Sequence, residues 1–277
     1  VSTTVTILER LKQVYPDVKM TTLREWISGH RVFADGTLVR SLKQPVAVGA
    51  RVDLDAPKTT EQVLQHGLEV VYQDSDIFVV EKPSGLLTAT DAEERRPTVS
   101  AIMHKWSARD NHKGRAFIVH RLDRGASGLL VLARNPVALA ELKQQFFVHS
   151  VTRQYHAVVI GKPPAPAGKL ESLLWEDHLG HMQIVDDPAR GQQAITHYRV
   201  LKQLKGDRTL VECTLETGRK HQIRAQLAKL GCPILGDGEY GPLRHPKQRL
   251  MLHAVVLELD HPKLNKRLRF ESPSGFC

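Results

Sequence analysis

HRLDRGASGLLVLARN, His120 to Asn135, joins a charged loop to an apolar run. One acid, Asp123, stands between Arg121 and Arg124 and is followed by Gly125 and Gly128. Leu129 to Ala133 then read as a strand, and Asn135-Pro136 opens a helix over VALAELKQQFF with Asn as its cap and Pro in its first turn. A carboxylate in a glycine-hinged loop of a basic chain is either a salt-bridge partner or a group that does chemistry. The rest of the sequence has to separate the two.

Around this stretch, strands dominate. LEVVYQDSDIFVVEKPSGLL, Leu68 to Leu87, reads as two strands about an Asp-Ser-Asp turn, stopped by Pro83 and Gly85. QYHAVVIG is a further strand, followed by the surface loop KPPAPAG. THYRVLKQL and TLVECTLET form a hairpin through Gly206-Asp207. Because helices do not alternate regularly with these strands, the expected class is α+β: a large domain on a mostly antiparallel mixed sheet, flanked by helices and loops.

The first 58 residues read as a separate small α/β module. Thr6 with Glu9, and Thr22 with Glu25, have the spacing of capping boxes that open two short amphipathic helices. Gly29 can close the second helix, RVFADGTLV predicts a hairpin about Asp35-Gly36, and VAVGARVDLD predicts another strand pair about Gly49-Ala50. APKTTEQVLQHG, Ala56 to Gly67, has few large apolar residues and breaks the pattern. The expected division is therefore 1–58, a linker at 59–67, and a main domain at 68–277.

The chain has 277 residues and a formal net charge of +9, which points to a polyanionic partner, most simply nucleic acid. Aromatic residues make up 5%, too few for a platform that stacks successive bases of a single strand. No apolar run reaches the ~20 residues that span a bilayer, and the N-terminal VSTTVTILERLKQVY is unlike a signal peptide, so a cytoplasmic protein with no membrane partner is expected. Cys213, Cys232 and Cys277 are too few and too far apart for a disulfide framework or a Cys-x-x-Cys metal site, and are read as reduced thiols.

Three short motifs invite other chemistries and do not carry them. GDGEYG, Gly236 to Gly241, satisfies G-x-G-x-x-G, yet Pro242 and the residues after it supply neither the helix nor the acid of a dinucleotide site. Ser127 in GASG lacks nucleophile-elbow spacing, and its hydroxyl is read as tying the loop together. His178 and His181 have no Cys or third His in their neighbourhood and are read as solvated. ETGRKHQIRAQLAKLG, Glu216 to Gly231, is more pointed. Ile223, Leu227 and Leu230 form a helical stripe ended by Gly231, while Arg219, Lys220, His221 and Arg224 crowd the helix start against its dipole. That arrangement suits an anion, either a phosphate or a buried carboxylate.

HRLDRGASGLLVLARN, VVYQDSDIFVVEKPSGLLT, RQYHAVVIGKP and LETGRKHQIRAQLAKLGCPILGDGEYG, in this order, resemble the signature segments of the RluA-type pseudouridine synthases. The N-terminal module, with basic Arg24, His30, Arg31, Arg40 and Lys43 around its second helix and hairpin, resembles the S-four-like RNA-binding domain that many members carry, and Arg24, Arg31, Arg40 and Lys43 are its expected RNA-binding residues. The resemblance implies Asp123 as the essential aspartate, Tyr155 as the residue that stacks on the target base, and Arg224 as the partner of the aspartate. It further implies Arg121 in the space left by a flipped nucleotide, Ile223 beside the base, and Lys82 and Pro83 in a mainly structural segment. Arg219, Lys220 and His221 join the expected substrate-binding set. Ala126 replaces the usual Thr, Glu81 a frequent Asn, Lys220 a Thr and Gln226 a His, which touches loop rigidity and substrate choice.

The implied reaction is isomerisation of uridine to pseudouridine in structured RNA, without cofactor or metal, by a monomer. Ribosomal RNA is favoured over transfer RNA because of the appended module. The alternative from another class is a non-catalytic RNA-binding or ribosome-assembly protein on the same scaffold, against which an intact Asp123, Tyr155 and Arg224 speak.

Overall fold

A computed structural model describes residues 4–28, 31–35, 37–54, 62–89, 96–109, 115–178, 180–242 and 249–276. The chain divides into two compact units, 1–60 with 72–75, and 61–71 with 76–277.

The small unit contains β1 (Thr4–Thr6), α1 (Ile7–Val14), α2 (Met20–Ser28), β2 (Val32–Ala34), β3 (Thr37–Leu38), β4 (Pro45–Ala47) and β5 (Val52–Leu54). Thr6 and Glu9 form the expected reciprocal box: the Glu9 amide donates to Thr6 Oγ1 at 3.3 Å, and the Thr6 amide donates to Glu9 Oε2 at 2.8 Å. The apolar face of the two helices, Ile7, Leu11, Leu23 and Trp26, is buried. The second expected box is not one. The Leu23 amide already donates to the Lys19 carbonyl at 3.1 Å, so α2 begins before Thr22, and Thr22 and Glu25 lie within it. β2 and β3 pair across the turn that Asp35 enters with a positive φ of 47°; Gly36, like Gly29 and His30, lies outside the described residues.

The strands either side of Gly49-Ala50 form as expected but do not pair with each other. β4 joins β1 and β5 joins β2, so this turn carries the chain from one small sheet to another. Alternation of apolar residues identifies the buried face of a strand, not the strand beside it.

The large unit contains β6 (Gln62–Val63), β7 (Glu69–Gln73), β8 (Ile77–Lys82), α3 (Val99–Arg109), β9 (Phe117–Ile118), β10 (Ser127–Ala133), α4 (Pro136–Phe147), β11 (Thr152–Ile160), β12 (Ala167–Glu176), β13 (Met182–Val185), β14 (Gln192–Leu204), β15 (Arg208–Leu215), α5 (Gln222–Lys229), β16 (Leu252–Asp260) and β17 (Arg267–Glu271). Its sheet runs β13-β12-β14-β15-β11-β16-β10-β8-β7-β6, with β17 on β16 and β9 on β10. β10 and β16 run parallel, whereas β10 pairs antiparallel with β8, as β11 does with β15 and β16. The class is α+β, with the mostly antiparallel mixed sheet that the strand pattern predicts. Part of the expected linker belongs to this unit: β6 pairs with β7, and Gln65–Gly67 form a 3-10 turn.

β10 lies deep in the sheet with every residue from Ser127 to Ala133 buried, which is why its sequence is continuously apolar after Gly128 rather than alternating. Asn135 caps α4 by accepting from the Ala138 amide at 2.9 Å. The cysteines Cys213 and Cys232 are free thiols; burial pushes the Cys213 pKa up to about 12, which keeps it protonated. Among the described residues no helix is long and apolar enough to cross a membrane.

Candidate active site

The loop carrying Asp123 is held from beneath by residues 82–88. Lys82 is fully buried, and its Nζ donates to the carbonyl oxygens of Leu86 at 2.8 Å, Pro83 at 3.1 Å and Arg124 at 3.2 Å. Burial, with Asp123 acting in the opposite direction, leaves its pKa at about 8, so it is mainly protonated at neutral pH. The Gly85 amide donates to the Arg124 carbonyl at 2.7 Å, Ser84 Oγ donates to the Gly125 carbonyl at 2.6 Å, and Thr88 Oγ1 both donates to the Leu122 carbonyl and accepts from its amide. The loop around Asp123 is thus tied to a buried, hydrogen-bonded floor.

Gly128 ends the loop. Its φ is +109°, and a Cβ there would lie 2.4 Å from the Ala254 carbonyl oxygen and 2.5 Å from its amide nitrogen. Only glycine lets β10 approach β16 this closely. Ser127 ties the same corner, with Oγ 2.8 Å from His253 Nδ1.

Opposite Asp123 stands α5, whose first residues are buried. Gln222 fixes the helix start: it donates to the Ile195 carbonyl and Thr196 Oγ1 and accepts from Thr217 Oγ1 and the Arg219 amide. Arg224, one turn in, meets three carboxylates. Its Nε and Nη2 donate to the two oxygens of Asp237 at 2.8 Å each, Nη2 reaches Glu239 at 3.1 Å, and Nη1 reaches Asp123 Oδ2 at 3.4 Å. The bidentate pair holds the guanidinium plane, and the Arg224 pKa rises above the ordinary arginine value despite burial. Asp237 is held down by Arg224 and by the amides of Glu239 and Tyr240, against its own burial. His221 enters the helix in the left-handed region, with φ 54°, its Nε2 3.9 Å from Asp123 and its Nδ1 3.1 Å from the Tyr240 hydroxyl.

Between loop and helix lies a cavity of about 450 Å³. Asp123, Tyr155, Ile223, Arg224, Arg121, Arg219, Lys220 and His221, all named from sequence, line it. Tyr155 is 7% exposed and sits at an irregularity in the pairing of β11 with β16, between Gln154 and Tyr155. Its pKa is raised, first by burial. Arg121 is exposed at the rim.

The cationic candidates divide by their partners. Lys220 is committed to the Glu176 carboxylate and the Gly180 carbonyl, and Arg219 Nε donates to the Gln193 carbonyl while the side chain stays exposed. In the small unit Arg24, Arg40 and Lys43 are exposed. Arg31 is not a surface cation: it is 6% exposed, and its Nη1 donates to Ser75 Oγ, in the same unit, at 2.7 Å. Its neighbour Val32 is the first residue of β2, which draws position 31 into the core.

Sequence reasoning missed Asp237 and Glu239, although GDGEYG stands out in the sequence. Its glycines support a turn that returns two acids to Arg224. It also missed Arg153 and Phe146, which share the cavity wall.

A family model described as RNA pseudouridylate synthase matches residues 76–229. The chain is 34% identical to ribosomal large subunit pseudouridine synthase D of Pseudomonas aeruginosa, covering 94% of this chain and 86% of that one. It is also 34% identical to the uncharacterized RNA pseudouridine synthase YlyB of Bacillus subtilis, covering 93% and 86%. Among solved structures, human RNA pseudouridylate synthase domain containing 4 superposes with a TM-score of 0.62 at 26% identity, covering 74% of this chain and 87% of that one. With an acid, a buried tyrosine and an anchored arginine around one cavity, and with this likeness over most of its length, the chain belongs to the RNA pseudouridylate synthase family.

Proposed function

We propose that this enzyme converts uridine to pseudouridine in large-subunit ribosomal RNA, with Asp123 as the reacting carboxylate. The observation that carries the reading is the placing of Asp123 on the wall of a nucleoside-sized cavity, between the anchored Arg224 and the buried Tyr155. In the reaction the N1–C1′ bond breaks, the uracil turns within the site, a C5–C1′ bond forms, the C5 proton leaves to water, and N1 takes up a proton. Atoms and electrons balance within the nucleotide and water.

The base must leave its stack to enter such a cavity. Tyr155 supplies a face for it, Ile223 an apolar side, and the exposed Arg121 a side chain long enough to fill the gap in the RNA. The net charge of +9 favours a phosphate backbone, and Arg24, Arg40 and Lys43 give the small unit exposed cations for it. Ribosomal RNA is preferred because the Pseudomonas relative is named for the large ribosomal subunit. The enzyme works in the cytoplasm as a single chain.

The test is a pseudouridine map of ribosomal and transfer RNA from cells with and without the protein. Loss of one or a few pseudouridines in large-subunit ribosomal RNA, restored by the wild-type chain and not by Asp123→Asn, supports the reading. Loss confined to transfer RNA would redirect the substrate. An unchanged map would contradict the proposal.

A further inference from the structure

A charge buried in a protein is ordinarily paired, because desolvation is expensive. Arg224 follows that rule with three carboxylates. Arg153 does not. It is 7% exposed and lines the same cavity, two residues before Tyr155 on β11. Its Nη2 donates to two neutral carbonyl oxygens, Glu216 at 3.4 Å and Thr217 at 3.3 Å, both long. Its Nε meets no acceptor, and among the described residues no carboxylate pairs with it.

The surroundings nevertheless make room for this cation. The guanidinium lies 5.4 Å from the centre of the Phe146 ring. A Cβ at position 218 would fall 2.3 Å from Nη1, so Gly218 leaves the space the side chain occupies. Burial pulls the Arg153 pKa down, but an arginine keeps its proton even there. The cavity therefore holds a permanent positive charge that, among the described residues, no carboxylate pairs with directly; Asp123 on the same wall is in contact with Arg224 instead.

The proposed reaction supplies a counter-ion. When the N1–C1′ bond breaks, its electron pair goes to the base, and the charge spreads over N1, O2 and O4 of uracil. That pair then forms the C5–C1′ bond, loss of the C5 proton returns a pair to the ring, and N1 takes up a proton from water. Building on the proposed isomerisation, we infer that Arg153 is a further catalytic residue: its guanidinium is the counter-ion of the uracil anion formed while the base is detached. Arg224 cannot fill that role because three carboxylates already surround it. Arg121 is exposed, and water screens it. A fixed cation in a water-poor site acts more strongly on developing charge than one in solvent.

The test uses single-turnover loss of C5 deuterium, read by mass spectrometry, at saturating RNA. Two substrates carry the target as uridine or as 2-thiouridine, whose base is the more acidic leaving group. Arg153→Met should slow the uridine substrate about 10²- to 10³-fold, the effect of removing one such donor elsewhere, with RNA affinity kept. The defect should shrink on 2-thiouridine, which needs less help to carry the charge, and Arg153→Lys should recover most of the rate. A merely structural arginine would slow both substrates equally and would not be rescued by lysine. If Arg153→Met does not fold, the Lys variant carries the test alone: a small defect that shrinks further on 2-thiouridine supports the inference, and a large defect equal on both overturns it. An inactive wild-type chain would count against the proposed function itself, whereas an active wild type with a fully active Arg153→Met removes only the role of Arg153.

Discussion

Arg224 grips Asp237 with two hydrogen bonds of 2.8 Å and touches Asp123 with one of 3.4 Å. The short bonds anchor the guanidinium; the contact with Asp123 is the longer and weaker one. Asp237 is thus a positioning residue, although it does not line the cavity.

Asp237→Asn keeps the shape and loses the charge that orients Arg224. Turnover at saturating RNA should fall about 10- to 100-fold, as for loss of an outer partner that aims a site group, while RNA affinity stays near wild type. A variant with normal turnover would show that Arg224 holds its place without Asp237.

Gly128→Ala should prevent stable folding. The added Cβ meets the backbone of Ala254 at 2.4 Å, and backbone cannot swing aside as a side chain can. The strain at positive φ adds to the clash, so a destabilisation above ~3 kcal/mol is expected in urea unfolding. An Ala variant of near-normal stability would refute the close approach of β10 and β16.

Two histidines, the buried His253 and the half-buried His120, should make the fold acid-sensitive. Burial, reinforced by Arg153, pushes His120 down to about 3; burial, then Arg249 and His156, push His253 to about 4. The ordinary value is 6.5, so below it the unfolded chain takes up protons that the native state refuses. Stability is full above that value and falls as pH drops towards 4, by up to about 1.4 kcal/mol per pH unit for each histidine. His253→Gln should lessen this slope by about one proton in denaturation experiments at pH 6 and pH 5. An unchanged slope would mean that His253 protonates freely in the native state.

Much of the site was legible because its residues sit in short, chemically marked segments. Asp123, Tyr155 and the adjacent pair Ile223 and Arg224 come from three separate stretches and meet in one cavity. What local pattern does not encode is partnership across the fold. The crowding of cations at the start of α5 announced an anion, but not that the anions are Asp237 and Glu239 as well as Asp123. Likewise VAVGARVDLD shows two strands and not that each pairs elsewhere. Arg31 looked like one more surface cation until its place beside β2 buried it.

The remaining cations of the small unit have a measurable consequence. Replacing Arg24, Arg40 and Lys43 together with alanine should weaken binding to structured RNA and flatten its salt dependence. The logarithmic slope should fall by roughly 0.7–0.9 for each phosphate that the variant no longer neutralises, with single-turnover rates at saturation unchanged. Identical affinity and slope would show that this unit does not hold the RNA substrate.

The central claim is that the carboxylate of Asp123 reacts. Its most direct measurement is release of tritium from RNA carrying 5-tritiated uridine, comparing wild type with Asp123→Asn, alongside RNA binding. Because Asn removes the reactive carboxylate and one negative charge without changing size, release should vanish while binding is kept or slightly tightened. Release by Asp123→Asn at the wild-type rate would contradict the account.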